Sequence, residues 1–209
     1  PEITKLMIAP LYGDNPTFGV RELLQNSVDA CLERKEKEAK KENPSDYHGL
    51  VTISIDSRHD LGNDKEMDVF TIEDNGIGMN VDEVKKYICN IALSGALEFI
   101  EKYEQGDASN GIIGHFGLGF YSSFMVSKSV DIITLSYKEG SKAMKWSCNG
   151  DTEYTLEETT KERRGTDIVM HIDDENKEFL EENKISELLN KYCKFLPVEI
   201  AFGKETEWK

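Results

Sequence analysis

The sequence has 209 residues, of which 38% are hydrophobic and 31% are charged, a balance typical of one globular domain with a substantial core. Forty acidic residues against 25 basic ones give a net charge of −15, which argues against a nucleic-acid scaffold because such binding needs a basic surface. No apolar run approaches the roughly 18 residues of a membrane span and no signal-peptide pattern opens the sequence, so we expect neither membrane insertion nor secretion.

A long helix is the first element that the sequence predicts. Asn15 is a good N-cap and Pro16 suits the first helical position. The helical pattern then runs to about Lys41 and is stopped by Asn43 and Pro44. We therefore predict one helix over most of residues 15–41.

The predicted helix carries a polar stripe. Glu22, Asn26 and Asp29 fall within a narrow arc, opposite an apolar side. A solvated helix face has the same pattern, and spacing alone favours that interpretation. The functional interpretation is a magnesium-nucleotide face, in which Asn26 offers a neutral oxygen to a hard cation and Glu22 polarises an attacking water.

Residues 67–79 predict a strand that runs into a turn. Alternation places Phe70 and Ile72 on one face with Asp74 at its end, so the carboxylate lies at the rim of a buried surface. Asn75 and Gly76 then turn the chain. Asp74 is either the first residue of an ordinary turn or an acceptor for a purine amine.

A second helix is predicted to begin at Asn80, because Glu83 three residues later completes a capping box. Further on, residues 114–121 contain three glycines that bracket aromatic residues. Such a loop lets backbone N–H groups converge on an anion, although many glycine-rich loops are plain turns. Residues 120–126 then extend as a helix in this interpretation.

The remaining sequence predicts a sheet with helical cover. Strands are expected at residues 51–55, 130–137, 143–148, 154–157, 166–172 and 198–202, and helices at 174–182 and 185–195. Runs of strands with helices on one face predict an α+β two-layer sandwich built on a mostly antiparallel sheet. The absence of a G-x-x-x-x-G-K-[ST] segment excludes the ordinary P-loop.

Residues 22–30, 74–79 and 114–121, in that order, resemble the three nucleotide motifs of the GHKL ATPases. Within that superfamily the chain resembles the N-terminal ATP-binding domain of the heat-shock protein 90 family, in particular its bacterial form. The specific markers are Ser94 with Gly95, the full wording of the third motif, and residues 164–168. The resemblance covers nearly all 209 residues and implies the GHKL, or Bergerat, ATPase fold.

The resemblance also implies roles for individual residues. Glu22 is similar to the general base that orients the attacking water, and Asn26 to the side chain that holds Mg²⁺ against the phosphates. Asp74 resembles the adenine-binding carboxylate, and Thr166 would support a water-mediated contact to the base. The implied nucleotide-binding set is Asn26, Asp29, Ala30, Asp74, Gly78, Met79, Tyr87, Leu93, Ser94, Gly95, Gly117, Leu118, Gly119, Phe120 and Thr166.

The segment from about residue 91 to residue 115 resembles the lid that folds over ATP. Leu93 stands where the family usually has a lysine that reaches the phosphates. This departure leaves open a nucleotide-sensing domain without turnover. A mismatch-repair or topoisomerase-type ATPase is a further alternative, which the acidic balance disfavours.

The resemblance implies an ATPase domain of a molecular chaperone, in which Mg²⁺ and ATP drive lid closure and dimerisation during client folding. We expect residues 1–209 to be one N-terminal domain, without the family's middle and C-terminal domains, that is monomeric and hydrolyses ATP slowly. Expected partners are ATP or ADP, with clients and co-chaperones through a full-length homodimer, and neither nucleic acid nor membrane. Four scattered cysteines predict free thiols and a cytoplasmic location.

Overall fold

The computed structural model describes residues 15–57, 68–89, 118–149 and 153–203. Its longest element is helix α1, Pro16–Ala39. The Asn15 side chain accepts a hydrogen bond from Thr17 N–H at 3.1 Å, and Pro16 occupies the first turn, so the predicted start is confirmed and the end differs by two residues. Within the described residues, no helix combines the length and apolarity needed to cross a bilayer.

Within the described residues, one mixed sheet contains seven strands: β1 Leu50–Asp56, β2 Val69–Asp74, β3 Ser127–Leu135, β4 Ala143–Cys148, β5 Tyr154–Thr159, β6 Gly165–Ile172 and β7 Glu199–Phe202. Their order across the sheet is β5-β4-β3-β6-β2-β1-β7. All neighbouring strands are antiparallel except β1 and β7, which are parallel. The α+β prediction is confirmed.

One face of the sheet is buried under α1. Leu23 and Val28 of the helix have no exposed area, and neither do Phe70 and Ile72 of β2. On β6, each second residue from Thr166 to the end of the strand is buried, as the alternation predicts. Burying side chains of this size stabilises the fold by about 1.5–3 kcal/mol each, so this contact between helix and sheet contributes substantially to the stability of the core.

Among the described residues, three short helical elements lie between β2 and β3. Helix α2, Val81–Val84, begins with the predicted capping box: Asn80 N–H donates to Glu83 Oε2 at 2.8 Å and Glu83 N–H to Asn80 Oδ1 at 2.9 Å. It continues as a π-helix, Lys85–Cys89, and a 3₁₀ helix, Leu118–Met125, leads into β3. The Tyr121 hydroxyl donates to the Ile88 carbonyl at 2.7 Å and so ties these two elements together.

The helix predicted at residues 174–182 is wrong. That stretch contains only a 3₁₀ turn, Lys177–Leu180, and helix α3 is Glu182–Tyr192. Asp173 Oδ1 accepts from Glu175 N–H at 3.1 Å and from Asn176 Nδ2 at 2.7 Å. The buried Asn176 amide also donates to a carbonyl at the end of the other 3₁₀ helix, Leu118–Met125. These bonds favour a turn over a helix.

Candidate functional site

Asp74 ends β2 on the buried face of the sheet, where the alternation places it. It is 4% exposed, and β6 lies alongside it with Thr166 as its direct partner. Asp74 Oδ1 accepts from Gly76 N–H at 2.8 Å and from Thr166 N–H at 3.3 Å. Ser27 of α1 adds a side-chain hydrogen bond. Since a carboxylate offers about four lone-pair sites, these three donors leave room for one more.

The pKa of Asp74 is raised to about 7, chiefly because burial disfavours the charged form and to a smaller extent because Asp167 is negatively charged. The hydrogen bonds from Gly76, Ser27 and Thr166 act in the opposite direction, because they stabilise the ionised form. Near neutral pH, the side chain therefore changes between an acceptor-only carboxylate and an acid with one donor.

Asp74 faces a cavity of about 130 Å³ between α1 and the sheet. By volume this space corresponds to about four water molecules. Its walls are largely apolar and include a few polar groups, which is the usual composition of a small-molecule site. The lining residues are Asn26, Ser27, Ala30, Asp74, Ile77, Gly78, Met79, Phe120, Thr166 and Ile168.

Two glycines allow the backbone to close around this cavity. Gly78 has φ +60°, and a Cβ there would lie 2.0 Å from the Leu135 carbonyl oxygen. Gly165 has φ +126°, and a Cβ there would lie 2.0 Å from the Asp74 carbonyl oxygen. A side chain is excluded at both positions by backbone atoms and by the dihedral angle. Close backbone packing therefore requires glycine at both positions, against the end of β3 at Gly78 and against the end of β2 at Gly165.

A short chain of hydroxyl groups continues the site behind Asp74. Thr166 Oγ1 and Thr134 Oγ1 are 2.9 Å apart, and Thr134 Oγ1 accepts from Met79 N–H at 2.9 Å. Thr134 is 1% exposed and was not predicted to belong to the site. Its signal in the sequence is a hydroxyl at an inward position of β3, after Val130 and Ile132.

The polar stripe of α1 is only partly brought to the cavity. Asn26 lines the wall, and Glu22 lies one turn before it and is half-buried. Burial raises the pKa of Glu22, Arg21 lowers it and Asp29 raises it. Asp29 is exposed and accepts from Gln25 Nε2 at 2.9 Å, so among the described residues it is not part of the cavity wall.

The other predicted contact residues divide into three groups. Tyr87 is 43% exposed on the π-helix, with the Lys86 ammonium 5.2 Å from its ring centre, and is not among the described lining residues. Phe120 lines the cavity, and Leu118 and Gly119 belong to the same 3₁₀ helix. Outside the described residues lie Leu93, Ser94, Gly95, Gly117 and the whole predicted lid, residues 91–115.

Chemically, these groups complement one another. The buried carboxylate can accept a hydrogen bond from an exocyclic amine, and the apolar walls can hold a flat ring. The Asn26 amide oxygen suits a hard cation, and a half-buried glutamate with a raised pKa suits proton abstraction from water. Along α1, Asn26 and Glu22 lie on adjacent turns.

Comparisons with known proteins point in one direction. Residues 15–178 match the family model described as histidine kinase-, DNA gyrase B-, and HSP90-like ATPase. The chain is 54% identical over 199 residues to a chaperone protein HtpG of Bacteroides fragilis, covering 95% of this chain and 28% of that relative. For the HtpG of Porphyromonas gingivalis the identity is 52% over 200 residues, with the same shares, 95% and 28%.

A more distant relative gives the same name. The chain is 36% identical over 218 residues to the chaperone protein HtpG of Vibrio parahaemolyticus, covering 100% of this chain and 33% of the relative. The chain therefore spans about a third or less of the length of the curated relatives it matches.

Proposed function

The chain belongs to the family of histidine kinase-, DNA gyrase B- and HSP90-like ATPases, and from that premise we propose that it is the ATP-binding and ATP-hydrolysing domain of an HSP90-type molecular chaperone. Similarity to chaperone proteins named HtpG supports the chaperone branch of the family over a mismatch-repair or topoisomerase-type domain. The observation that carries the proposal is Asp74, a buried carboxylate at the wall of a cavity with acceptor capacity remaining.

Asp74 is the group that we assign to adenine. Its free acceptor site would take a hydrogen bond from the exocyclic amine, which a guanine base does not present at that position. Gly78 and Met79 would line the ring, because both lie on the cavity wall. Thr166 contacts Thr134 and lines the same cavity, where it would hold a water against the base.

Glu22 is the group that we assign to the hydrolytic step. A carboxylate removes a proton from water more effectively when its pKa is raised, and burial raises the pKa of Glu22. We assign Mg²⁺ to Asn26, whose neutral amide oxygen fits a hard cation and lies on the cavity wall. When bound, Mg²⁺ would neutralise phosphate charge. Glu22 would orient the attacking water one turn of helix away.

The phosphates are assigned to the backbone before β3. The N–H groups of Gly117, Leu118, Gly119 and Phe120 would donate to them, in the way that successive backbone amides bind anions. Leu118, Gly119 and Phe120 belong to the 3₁₀ helix, and Phe120 borders the cavity. Asp29, Ala30, Tyr87, Leu93, Ser94 and Gly95 complete the proposed nucleotide set, and residues 91–115 are proposed as the lid.

We also propose how this domain works within a longer protein. Residues 1–209 would form the N-terminal ATPase domain, since the chain covers 28% of relatives named as chaperones. ATP-driven lid closure and dimerisation of the full-length protein would be coupled to the folding of client proteins, with co-chaperones as further partners. The location that fits this role is the cytoplasm.

The test measures binding and turnover separately in three variants. Calorimetry with Mg-ADP, Mg-ATP and Mg-GTP gives affinities, and phosphate release gives kcat. Asp74→Asn is expected to lose about 10- to 100-fold in ATP affinity, the cost of removing an acceptor from a buried donor. Glu22→Ala should bind ATP within about threefold of wild type and lose turnover.

The matched control is Glu33→Gln, which removes an exposed carboxylate from the same helix and should change neither quantity. Equal affinity for ATP and GTP in the wild type, or unchanged ATP affinity in Asp74→Asn, would refute the adenine assignment. Loss of binding in Glu22→Ala as severe as in Asp74→Asn would refute the assignment of Glu22 as the base.

A further inference from the structure

Two side chains outside the cavity converge on the peptide unit between Asn75 and Gly76, one residue after Asp74. The Asn75 carbonyl accepts from Arg34 Nη1 at 2.8 Å and from the Tyr47 hydroxyl at 3.0 Å. The N–H of that same peptide unit belongs to Gly76 and donates to Asp74 Oδ1 at 2.8 Å. A single peptide plane therefore joins both donors to the buried carboxylate.

Arg34 is itself held from two sides. Its guanidinium carbon lies 4.7 Å from the centre of the Tyr47 ring, and its Nε lies 3.7 Å from Glu38 Oε1. Glu38 is 5% exposed, accepts from Ser45 Oγ at 3.0 Å and pairs with Lys41 Nζ at 2.8 Å. The hydrogen bond from Lys41 lowers the pKa of Glu38, so the carboxylate stays charged beneath the guanidinium. Arg34 is fixed in one orientation by these contacts.

The Asn75 side chain anchors the other end of the peptide. Its Oδ1 accepts from Leu50 N–H at 2.8 Å, and its Nδ2 donates to the His48 carbonyl at 2.8 Å. These bonds hold Asn75 in place, and rotation of the peptide plane that follows it would break the bonds from Arg34 and Tyr47. The orientation of Gly76 N–H is thus set by groups on α1 and on the segment before β1.

We propose that Arg34 and Tyr47 are positioning residues for nucleotide recognition, which hold the Asn75 carbonyl so that Gly76 N–H fixes the Asp74 carboxylate toward the base. This inference rests on the proposed function, because it takes Asp74 as the adenine acceptor. A cation on the carbonyl polarises the peptide and strengthens its N–H as a donor. Neither residue is among the described residues that line the cavity, so the effect passes through the peptide.

The test compares Arg34→Met, Arg34→Lys and Tyr47→Phe with a matched control, Lys35→Met, which removes an exposed cation from the same helix. Calorimetry with Mg-ADP and phosphate release at saturating Mg-ATP are measured on the 209-residue chain. Arg34→Met and Tyr47→Phe are each expected to raise the Kd for ADP about tenfold and to change kcat less than about twofold. Arg34→Lys retains a cation but loses the planar group that stacks on Tyr47, so its Kd should lie between those of wild type and Arg34→Met.

A second measurement requires no nucleotide. Hydrogen exchange of the Gly76 amide, followed by NMR, should accelerate about tenfold in Arg34→Met and stay at the wild-type rate in Lys35→Met. If Arg34→Met does not fold, Tyr47→Phe is judged by the same Kd for ADP and the same Gly76 exchange rate. An unchanged Kd for ADP in a variant with a wild-type-like fold, or an unchanged Gly76 exchange rate, overturns this inference and leaves the proposed function intact. A wild-type chain that binds neither ADP nor ATP overturns the proposed function instead.

Discussion

Replacing Asp74 by asparagine is expected to change how the stability of this chain depends on pH. In the folded chain burial raises the pKa of Asp74 from 3.8 to about 7, so the folded state keeps its proton over a pH range in which the unfolded state has lost it. Folding then binds a proton, and the free energy of unfolding falls as pH rises from about 4 to about 7. Above pH 7 the loss is complete and the curve levels off.

The size of the effect follows from the two pKa values. They differ by about 3, and each unit corresponds to 1.36 kcal/mol, so ionising Asp74 costs the folded state about 4 kcal/mol by pH 8. Asp74→Asn has no proton to lose. The stability of wild type minus that of Asp74→Asn should therefore fall by about 4 kcal/mol between pH 4 and pH 8.

Urea denaturation at intervals of pH measures this difference directly. An asparagine amide group that faces Gly76 and Thr166 N–H lowers the stability by an amount that does not depend on pH. The test is therefore how the difference in unfolding free energy changes with pH, and not its absolute value. Glu73→Gln removes the neighbouring carboxylate from the opposite face of β2 and should keep the wild-type slope. A constant difference between wild type and Asp74→Asn from pH 4 to pH 8 would show that burial does not hold the proton on Asp74.

Three other perturbations test the site. Gly78→Ala should lower the free energy of unfolding by at least about 3 kcal/mol, because its Cβ would meet a backbone oxygen. Gly140→Ala, at φ +76° in open space, should lower it by only about 1 kcal/mol. Equal losses for the two variants in denaturation curves would contradict the packing argument. Thr134→Val should lower the free energy of unfolding by about 1–2 kcal/mol, because it removes the acceptor of Met79 N–H. Thr134→Ser keeps the hydroxyl and should retain most of the wild-type value in the same assay. An unchanged free energy of unfolding in Thr134→Val would mean that water replaces the hydroxyl. ATP at ten times its Kd should raise the unfolding free energy by about 1.4 kcal/mol in a thermal scan, and the absence of any shift would contradict binding.

The sequence predicted those parts of the fold that depend on local signals. Asn15 with Pro16 placed the start of α1, and Asn80 with Glu83 placed the start of α2 through its capping box. Alternation placed Asp74 on the buried face of β2. Each of these features depends on residues close together in the chain, so it can be read without knowing the tertiary contacts. The heat-shock protein 90 resemblance is confirmed by the relatives named HtpG.

Features that depend on distant contacts were missed. The helix predicted at residues 174–182 fails because Asn176 reaches a carbonyl on a remote element. The parallel pairing of β7 with β1 joins segments far apart in sequence. The structure brings three further residues close to Asp74 or to the Asn75–Gly76 peptide: Ser27, Thr134 and Arg34. In the sequence these residues look like ordinary core or surface positions. Only the folded arrangement gives them a role.

The hydrogen bond from Tyr121 to the Ile88 carbonyl joins residues 33 positions apart in the chain. The π-helix and the 3₁₀ helix are therefore held against each other by a contact of their own, and not only by the chain that connects them. In mechanical terms the bond works as a crosslink between two elements that are remote in the sequence.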